Sequence, residues 1–384
     1  MKKAGFVWMV FLTSFLSLLG QEPYHFMLGS DEFATIDIYD LSQTQDGRYW
    51  IATSDGIYRS TNATSATPSW SKRTNGITDE EFIGLEFHPT NSNIMYASGL
   101  DIYRSSNGGS SYASITGSGT GLDLNNLPSS TADVLRIGIA VSPAAAGDLW
   151  AYVVCEDPSA STGKRIYVYR RTGSTWTMIR DWAPGGGTNN TSKGWTAIAV
   201  SPIDADKVYY GFTKVAGTEN GGTSWQSKSP YSGNGFHADV HALAIPPNVS
   251  NPQRFCGHHG GVSQKDPSNT GTGGWTFLCD GLEVATIWAF DDSEFDSDRI
   301  IIGNQDCGTN VTNGSGGWQV IRGGDGYNGR IDDESGLMIS SANGTVNMFD
   351  YVNQYSDTKI DNNTNIKYLE YNWNLNEVVK EERI

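Results

Sequence analysis

Beyond its first 20 residues this chain has no long apolar run, little positive charge and few cysteines, and each shortage excludes a class of protein. A membrane-spanning helix needs about 20 consecutive apolar residues, and only Phe6–Leu19 approaches that. The run follows Lys2 and Lys3 and stops at Gly20 before polar Gln21, which is the layout of a secretory signal peptide. Residues 1–20 are therefore expected to be removed on export. The mature chain is expected to be secreted, extracellular or on the cell surface, with no membrane span after cleavage. No cysteine follows the run, so a lipid anchor is not expected. Lysine and arginine number 26 against 42 aspartates and glutamates, a net charge of −16. A field of that sign repels phosphate backbones and anionic headgroups, so nucleic acid is not an expected partner. The four cysteines, Cys155, Cys256, Cys279 and Cys307, have no C-x-x-C spacing and so no zinc-ribbon pattern. Export permits disulfides. Cys256 and Cys279 fall in one repeat unit and are the candidate pair, with free buried thiols as the alternative.

Apolar residues at helical spacing are missing as well. In their place are 45 glycines, 12 tryptophans and 18 tyrosines, the composition of tight turns between aromatic-rich strands. A phrase recurs at about 45 residues: an alternating apolar strand, a Pro, Asp or Asn turn, a second strand with Tyr or Gly, then a Gly-rich turn into an aromatic. It runs from Ile36 to Trp70, from Phe82 to Tyr112, from Leu135 to Trp176 and from Trp195 to Trp225. It continues from His237 to Trp275 and from about Ala285 to Trp318, then opens again at Asp325 and fades after Phe349. A small sheet of about four strands cannot bury both faces alone, but stacked around an axis each sheet covers its neighbour. The expected fold is all-β, a β-propeller of about seven four-stranded blades over residues 35–360. Residues 21–34 would be a lead-in, and 361–384 an acidic, Asn-rich tail or an incomplete last blade. An array of β-sandwiches is the competing architecture.

The turns Asn107-Gly-Gly-Ser-Ser-Tyr112 and Asn220-Gly-Gly-Thr-Ser-Trp225 resemble degenerate Asp-boxes, the S-x-D-x-G-x-T-W hairpin of sialidase-type propellers, with Asn replacing Asp. In such a hairpin the acidic or amide side chain caps backbone N–H groups while the aromatic packs between sheets. From Gly194 to about Phe349 the order is Ala-Val-Ser-Pro, the Gly-Gly-Thr-Ser-Trp turn, His237-Ala-Asp-Val-His241, Gly260-Gly261, Gly303-Asn-Gln-Asp306 and Gly323-Gly-Asp-Gly326. This order resembles exported bacterial proteins with BNR or sortilin-like repeats. Their D-G-G is here His259-Gly260-Gly261, and their Q-D-N-G is Gln305-Asp306-Cys307-Gly308.

Histidine is scarce, six in all, yet His237, His241, His258 and His259 lie close together in sequence. On a strand, His237, Asp239 and His241 would share a face. A polar cluster of His237, Asp239, His241, His259, Gln305, Asp306 and Asp325 is expected to converge at one mouth of a central channel. Zinc would suit His237, Asp239 and His241, whereas calcium would suit the carboxylates Asp239, Asp306 and Asp325. Mutual satisfaction of these side chains, fixing blade register, is the structural alternative.

The resemblance implies no sialidase chemistry, which requires an arginine triad and a Tyr–Glu pair. Arg136 and Arg165 read as strand residues. Xyloglucanase-type hydrolysis uses two acids across a cleft between two propellers, and one propeller fits here. Asp291-Asp292 and Asp332-Asp333 read as solvated turn residues. The expected function is recognition of a polysaccharide or a cell-surface protein. Trp176, Trp182, Trp225, Trp275 and Trp318 are candidate ligand contacts, although most repeat tryptophans are expected between sheets. A glycoside hydrolase-like enzyme with its site at the channel mouth is the runner-up, and a structural surface or matrix protein the third reading. Asn62-Ala-Thr64 and Asn343-Gly-Thr345 are glycosylation sequons in turns.

Overall fold

The structure, a computed structural model, describes residues 24–27, 35–183, 197–279, 287–350, 355–361, 370–372 and 377–379, less short interruptions within those ranges. The expected signal peptide at 1–20 and Asn343 of the second sequon lie outside the described residues. The chain divides into two compact units, Met1–Leu278 and Cys279–Ile384.

The first unit holds five antiparallel sheets in which each strand pairs with the next in sequence. The first comprises Tyr24–Met27, Thr35–Gln43, Tyr49–Thr53, Gly56–Ser60 and Ser71–Lys72. The second comprises Gly84–Phe87, Met95–Ser98, Ile102–Ser105 and Ala113–Ser114, and the third Asp133–Val141, Leu149–Glu156, Lys164–Thr172 and Thr175–Trp182. Ile198–Val200, Val208–Gly211, Val215–Thr218 and Gln226–Ser227 make the fourth. Val240–Ala244, Arg254–His258, Gly261–Lys265 and Trp275–Phe277 make the fifth. In the second unit a sixth sheet runs Ile287–Asp292, Ile300–Asn304, Gly308–Thr312 and Trp318–Arg322. A seventh runs Gly326–Asp332, Leu337–Ala342, Thr345–Asp350 and Tyr355–Asp361. Glu370–Asn372 pairs with Glu377–Val379 beyond it. Among the described residues the only helical turn is the short 3-10 segment Pro143–Ala145.

Each repeat read from the sequence thus becomes one sheet. Two strands lie outside the repeat pattern: Tyr24–Met27 pairs onto Thr35–Gln43 inside the expected lead-in, and Tyr355–Asp361 completes the seventh sheet where the pattern fades. Both add to strands whose backbone N–H and C=O groups would otherwise lack partners, a requirement that side-chain patterning does not reveal.

Period-two alternation with both faces covered builds the cores. In Leu149–Cys155, Leu149, Ala151, Val153 and Cys155 face the second sheet's Tyr96 and Ile102, while Trp150, Tyr152 and Val154 face the fourth sheet's Val208 and Tyr210. The strand therefore reads as continuously apolar, as strands buried on both faces do. Other apolar clusters lie between the first and second sheets, between the fourth and fifth, and, in the second unit, between the sixth and seventh. Within the first unit Thr35–Gln43 and the first strands of the second to fifth sheets touch in order, and in the second unit Ile287–Asp292 touches Gly326–Asp332.

The two Asn-Gly-Gly turns form the same bonds. Asn107 Oδ1 accepts from the N–H groups of Ser110 (3.1 Å) and Ser111 (2.9 Å), and Ser105 Oγ accepts from Gly109 N–H at 2.9 Å. Asn220 Oδ1 accepts from Ser224 N–H at 2.9 Å, and Thr218 Oγ1 from Gly222 N–H at 2.9 Å. Gly109 and Gly222 have φ of +73° and +97°, and a Cβ there would lie 2.1 Å from the Trp50 ring or 1.9 Å from Ile179 Cγ2. Only glycine permits that approach to the preceding sheet.

Side chains of the first strands tie sheet to sheet. Asp40 Oδ2 accepts from Leu85 N–H at 2.7 Å, Asp291 Oδ2 from Ile331 N–H at 2.9 Å, and Ser142 Oγ donates to Ser201 O at 2.6 Å. Glu86 accepts from the Val141 N–H. Burial pushes the Asp40 carboxyl up to about 6 against its hydrogen bonds. Burial, reinforced by the Asp40 charge, pushes Glu86 up to about 8. Asp291 and Asp292 are expected in a solvated turn; instead they are the last two residues of the strand Ile287–Asp292, and Asp291 bonds the next sheet. Arg136 and Arg165 lie within strands as expected.

Candidate functional site

The histidine group forms where the fifth sheet begins. Phe236 and Ala238 are buried and anchor the approach, Phe236 packing 4.9 Å from both the Trp275 and His258 rings. Asp239 adopts φ +68°, a left-handed conformation uncommon for any residue but glycine. Its N–H donates to Thr213 O at 3.1 Å and that of Val240 to Phe212 O at 2.8 Å, both in the turn of the fourth sheet. The strand starts at Val240, and its pairing shifts register between Val240 and Ala242, which leaves His241 at a β-bulge. Bulges bend the strand and re-aim the extra residue's side chain.

The expectation that His237, Asp239 and His241 share one strand face therefore fails, because the first two precede the strand and Asp239 breaks the alternation. Two groups result. His241 stacks on His259 with ring centroids 4.7 Å apart and planes at 17°, and His259 Nδ1 lies 3.4 Å from Asp239 Oδ2. His237 lies instead beside His258, 6.4 Å between centroids, with its Nδ1 3.3 Å from Ala238 O. A Cβ at Gly260 would lie 2.6 Å from His237 Cβ, so the glycine after His259 gives that ring its room.

His258 was counted with the other histidines in the sequence but given no role; the structure defines one. Ser263 Oγ donates to Gly235 O at 2.8 Å, so it accepts from His258 Nε2 at 2.7 Å. His258 Nδ1 accepts from Gly260 N–H at 3.1 Å. Both ring nitrogens are used by the neutral Nε2–H tautomer, and burial, with nearby His237, lowers the pKa to about 3. It is a structural histidine.

Asp239, His241 and His259 provide one carboxylate and two imidazoles, donors that suit zinc. Imidazole lone pairs lie in the ring planes, however, and nearly parallel stacked rings cannot both aim at one ion about 2 Å away. As arranged, an ion there would take Asp239 and one imidazole. Gln305, Asp306 and Asp325 belong to the second unit. There Asp306, at φ +57° in the turn between Ile300–Asn304 and Gly308–Thr312, donates its N–H to Asp325 Oδ1 at 3.0 Å. Gln305 O accepts from Cys307 N–H at 2.7 Å.

No protein-family model and no curated protein matches the chain. Among solved structures it is similar to the GH74 enzyme of Niastella koreensis, at 16% identity over 86% of this chain and 57% of that one, with a TM-score of 0.48. It is similar to an ancestral GH74 enzyme at 18% identity over 88% of this chain and 47% of that one, with a TM-score of 0.46. YCF48 from Cyanidioschyzon merolae follows at 11% identity, 76% of this chain, 89% of that one and a TM-score of 0.34. The chain thus spans about half the length of the two GH74 enzymes.

Of the candidate tryptophans, Trp176 and Trp275 are buried, and their Nε1 atoms donate across sheets to Ile115 O and Lys228 O, each at 2.9 Å. Trp182 and Trp225 are partly buried, with the Arg180 guanidinium 4.7 and 5.0 Å from their ring centres. Trp318 alone of the five is largely exposed. Cys256 carries a free thiol, fully buried among Tyr209, Val215, Val240 and Trp275. The bridge to Cys279 is not formed: alternation along Arg254–His258 turns the Cys256 side chain into the core, where burial raises its pKa well above the usual thiol value.

Proposed function

We propose that this chain is an exported recognition module built as a β-propeller of about seven four-stranded blades of the Asp-box, sortilin-like kind, binding glycan or protein outside the cell without catalysis. Successive touching first strands, an apolar cluster between neighbouring sheets and the repeated Asn-Gly-Gly turn support the architecture.

One observation carries the binding reading. The carboxylates with raised pKa, Asp40 and Glu86, hold backbone N–H groups of the next sheet, whereas Asp239 and His259 remain partly accessible. The accessible polar groups thus suit contact with a ligand's hydroxyls, with the stacked His241 fixing the His259 ring. A glycan array probed with the mature chain should give discrete positives, weakened by His259→Ala. Reducing-sugar release from polysaccharide mixtures should stay at background.

Glycoside hydrolysis at the polar group of Asp239 and His259 is the second reading, favoured by the 3.4 Å approach of His259 Nδ1 to Asp239 Oδ2, an acid–base pair open to a ligand. Sugar release abolished by Asp239→Asn would replace the first reading with this one.

A further inference from the structure

The fifth sheet has a second polar end. Its strand Arg254–His258 carries His258 beside the histidine group and Arg254 about 13 Å away at the opposite end. There a cavity of about 50 Å³ opens between the fourth and fifth sheets, lined by Ser201, Lys207, Tyr209, Glu219, Asn251 and Arg254 among others. Arg254 is 7% exposed. Its guanidinium lies 4.6 Å over the Tyr209 ring, Nη1 donates to Tyr209 Oη at 2.7 Å, and Nη2 to Asn269 O at 3.2 Å. Its Nε is buried with no hydrogen-bond partner.

Two more cations are buried beside it. Lys228 Nζ donates to Glu219 Oε1 at 2.9 Å and to Thr270 O at 3.0 Å. Lys265 is fully buried, donates to Gly271 O at 2.7 Å and lies 5.5 Å over the Trp275 ring. Burial first, then repulsion from Arg254 and Lys228, pushes Lys265 down to about 8. Facing them is Glu219, 2.9 Å from Lys228 and 4.0 Å from Arg254 Nη1. Lys207, at the rim, is half-exposed and 3.9 Å from Asp204. Three buried cations face Glu219, a carboxylate still 28% exposed, and the exposed Asp266 beside Lys265, a positive excess inside a chain whose net charge is −16. Uncompensated buried charge is costly, and a planar guanidinium offers a fork of donors that matches carboxylate or sulfate oxygens.

The structure assigns this cleft to the anionic group, carboxylate or sulfate, of an acidic polysaccharide. The assignment rests on the glycan-recognition reading and names the ligand class. The volume is several times the roughly 10–15 Å³ that one water needs on the same measure, room for a small anionic group. The rest of the polymer would lie along the outer edge of the sheets, with Lys207 at the mouth.

The test is calorimetric titration of the mature chain with polygalacturonate, chondroitin sulfate, neutral xyloglucan and sodium sulfate. The expected result is binding of at least one acidic polymer that weakens with salt and falls at least fivefold in Lys207→Gln. Arg254→Met should abolish it; because that variant removes a core group, its circular dichroism must match the parent, and Lys207→Gln carries the test if it does not. Binding of neutral glycan but of no acidic polymer overturns this inference and leaves the recognition reading standing. Binding of sulfate salt alone, or acidic-polymer binding indifferent to Lys207→Gln, also overturns it. Binding of no glycan of any kind overturns both.

Discussion

Glu86→Gln should stabilise this protein at alkaline pH and leave it nearly unchanged in mild acid. Glu86 lies on the first strand of the second sheet, accepts from Val141 N–H, and titrates near 8 instead of at 4.5 because of burial and the neighbouring Asp40. The folded state keeps the proton to higher pH than the unfolded chain does. Its contribution to stability is therefore fully present below pH 4.5 and is lost as pH rises through 8. Three and a half pH units at about 1.4 kcal/mol each give about 5 kcal/mol. Glu86 keeps some solvent contact, so roughly half of that, 2–3 kcal/mol, is the expected loss. Glutamine is isosteric, can still accept from Val141 and cannot ionise. Urea denaturation of both proteins at pH 5 and pH 8.5 measures the effect as a gap that opens with pH. An equal gap at both pH values would refute the reasoning, since it would place Glu86 in solvent-like surroundings.

Three further outcomes follow from the same coordinates. The contribution of His258 to stability should fall as pH drops from about 6.5 toward 3 by up to about 1.4 kcal/mol per unit, because His258 is neutral in the fold and the unfolded chain binds the proton first; the difference between parent and His258→Gln in a denaturation series reads it apart from the opposing slopes of Glu86 and Asp40. Gly109→Ala should cost more than about 2 kcal/mol, since its Cβ meets the Trp50 ring at 2.1 Å. Gly117→Ala, with nothing within 4 Å, should cost only its backbone strain, a contrast that thermal melts resolve. Asn220→Ala should lose about 1–2 kcal/mol, measured by denaturation, as the Ser224 N–H and the Ser224 hydroxyl lose their partner.

Much of the fold was legible in the amino-acid order because its information is local. The continuous run of aliphatic and aromatic residues in Leu149–Cys155 marks a buried strand whichever sheets cover it. Asn-Gly-Gly before an aromatic marks a turn, because two consecutive left-handed residues and a capping amide are chemical demands within a few residues. The strand Tyr355–Asp361 was missed because it depends on the free edge of Thr345–Asp350, a partner outside its own pattern.

The site was less legible. Histidine count and spacing located His237, His241, His258 and His259, but their grouping depended on three events remote from the pattern. Asp239 turned left-handed to bond the fourth sheet, His241 fell at a bulge, and Ser263 across the hairpin fixed the His258 tautomer. The cation-rich cleft was less legible: Arg254 and Lys265 are cross-strand partners of one hairpin, but Lys228 joins them only when the fourth and fifth sheets pack.

Sequence alone determined the class of structure, its repeat unit and the placing of its turns, since strand alternation and turn chemistry act over a handful of bonds. Tertiary structure decided which polar groups meet, which ring nitrogen carries a proton and which carboxylates stay protonated, because proximity and burial are properties of packed sheets.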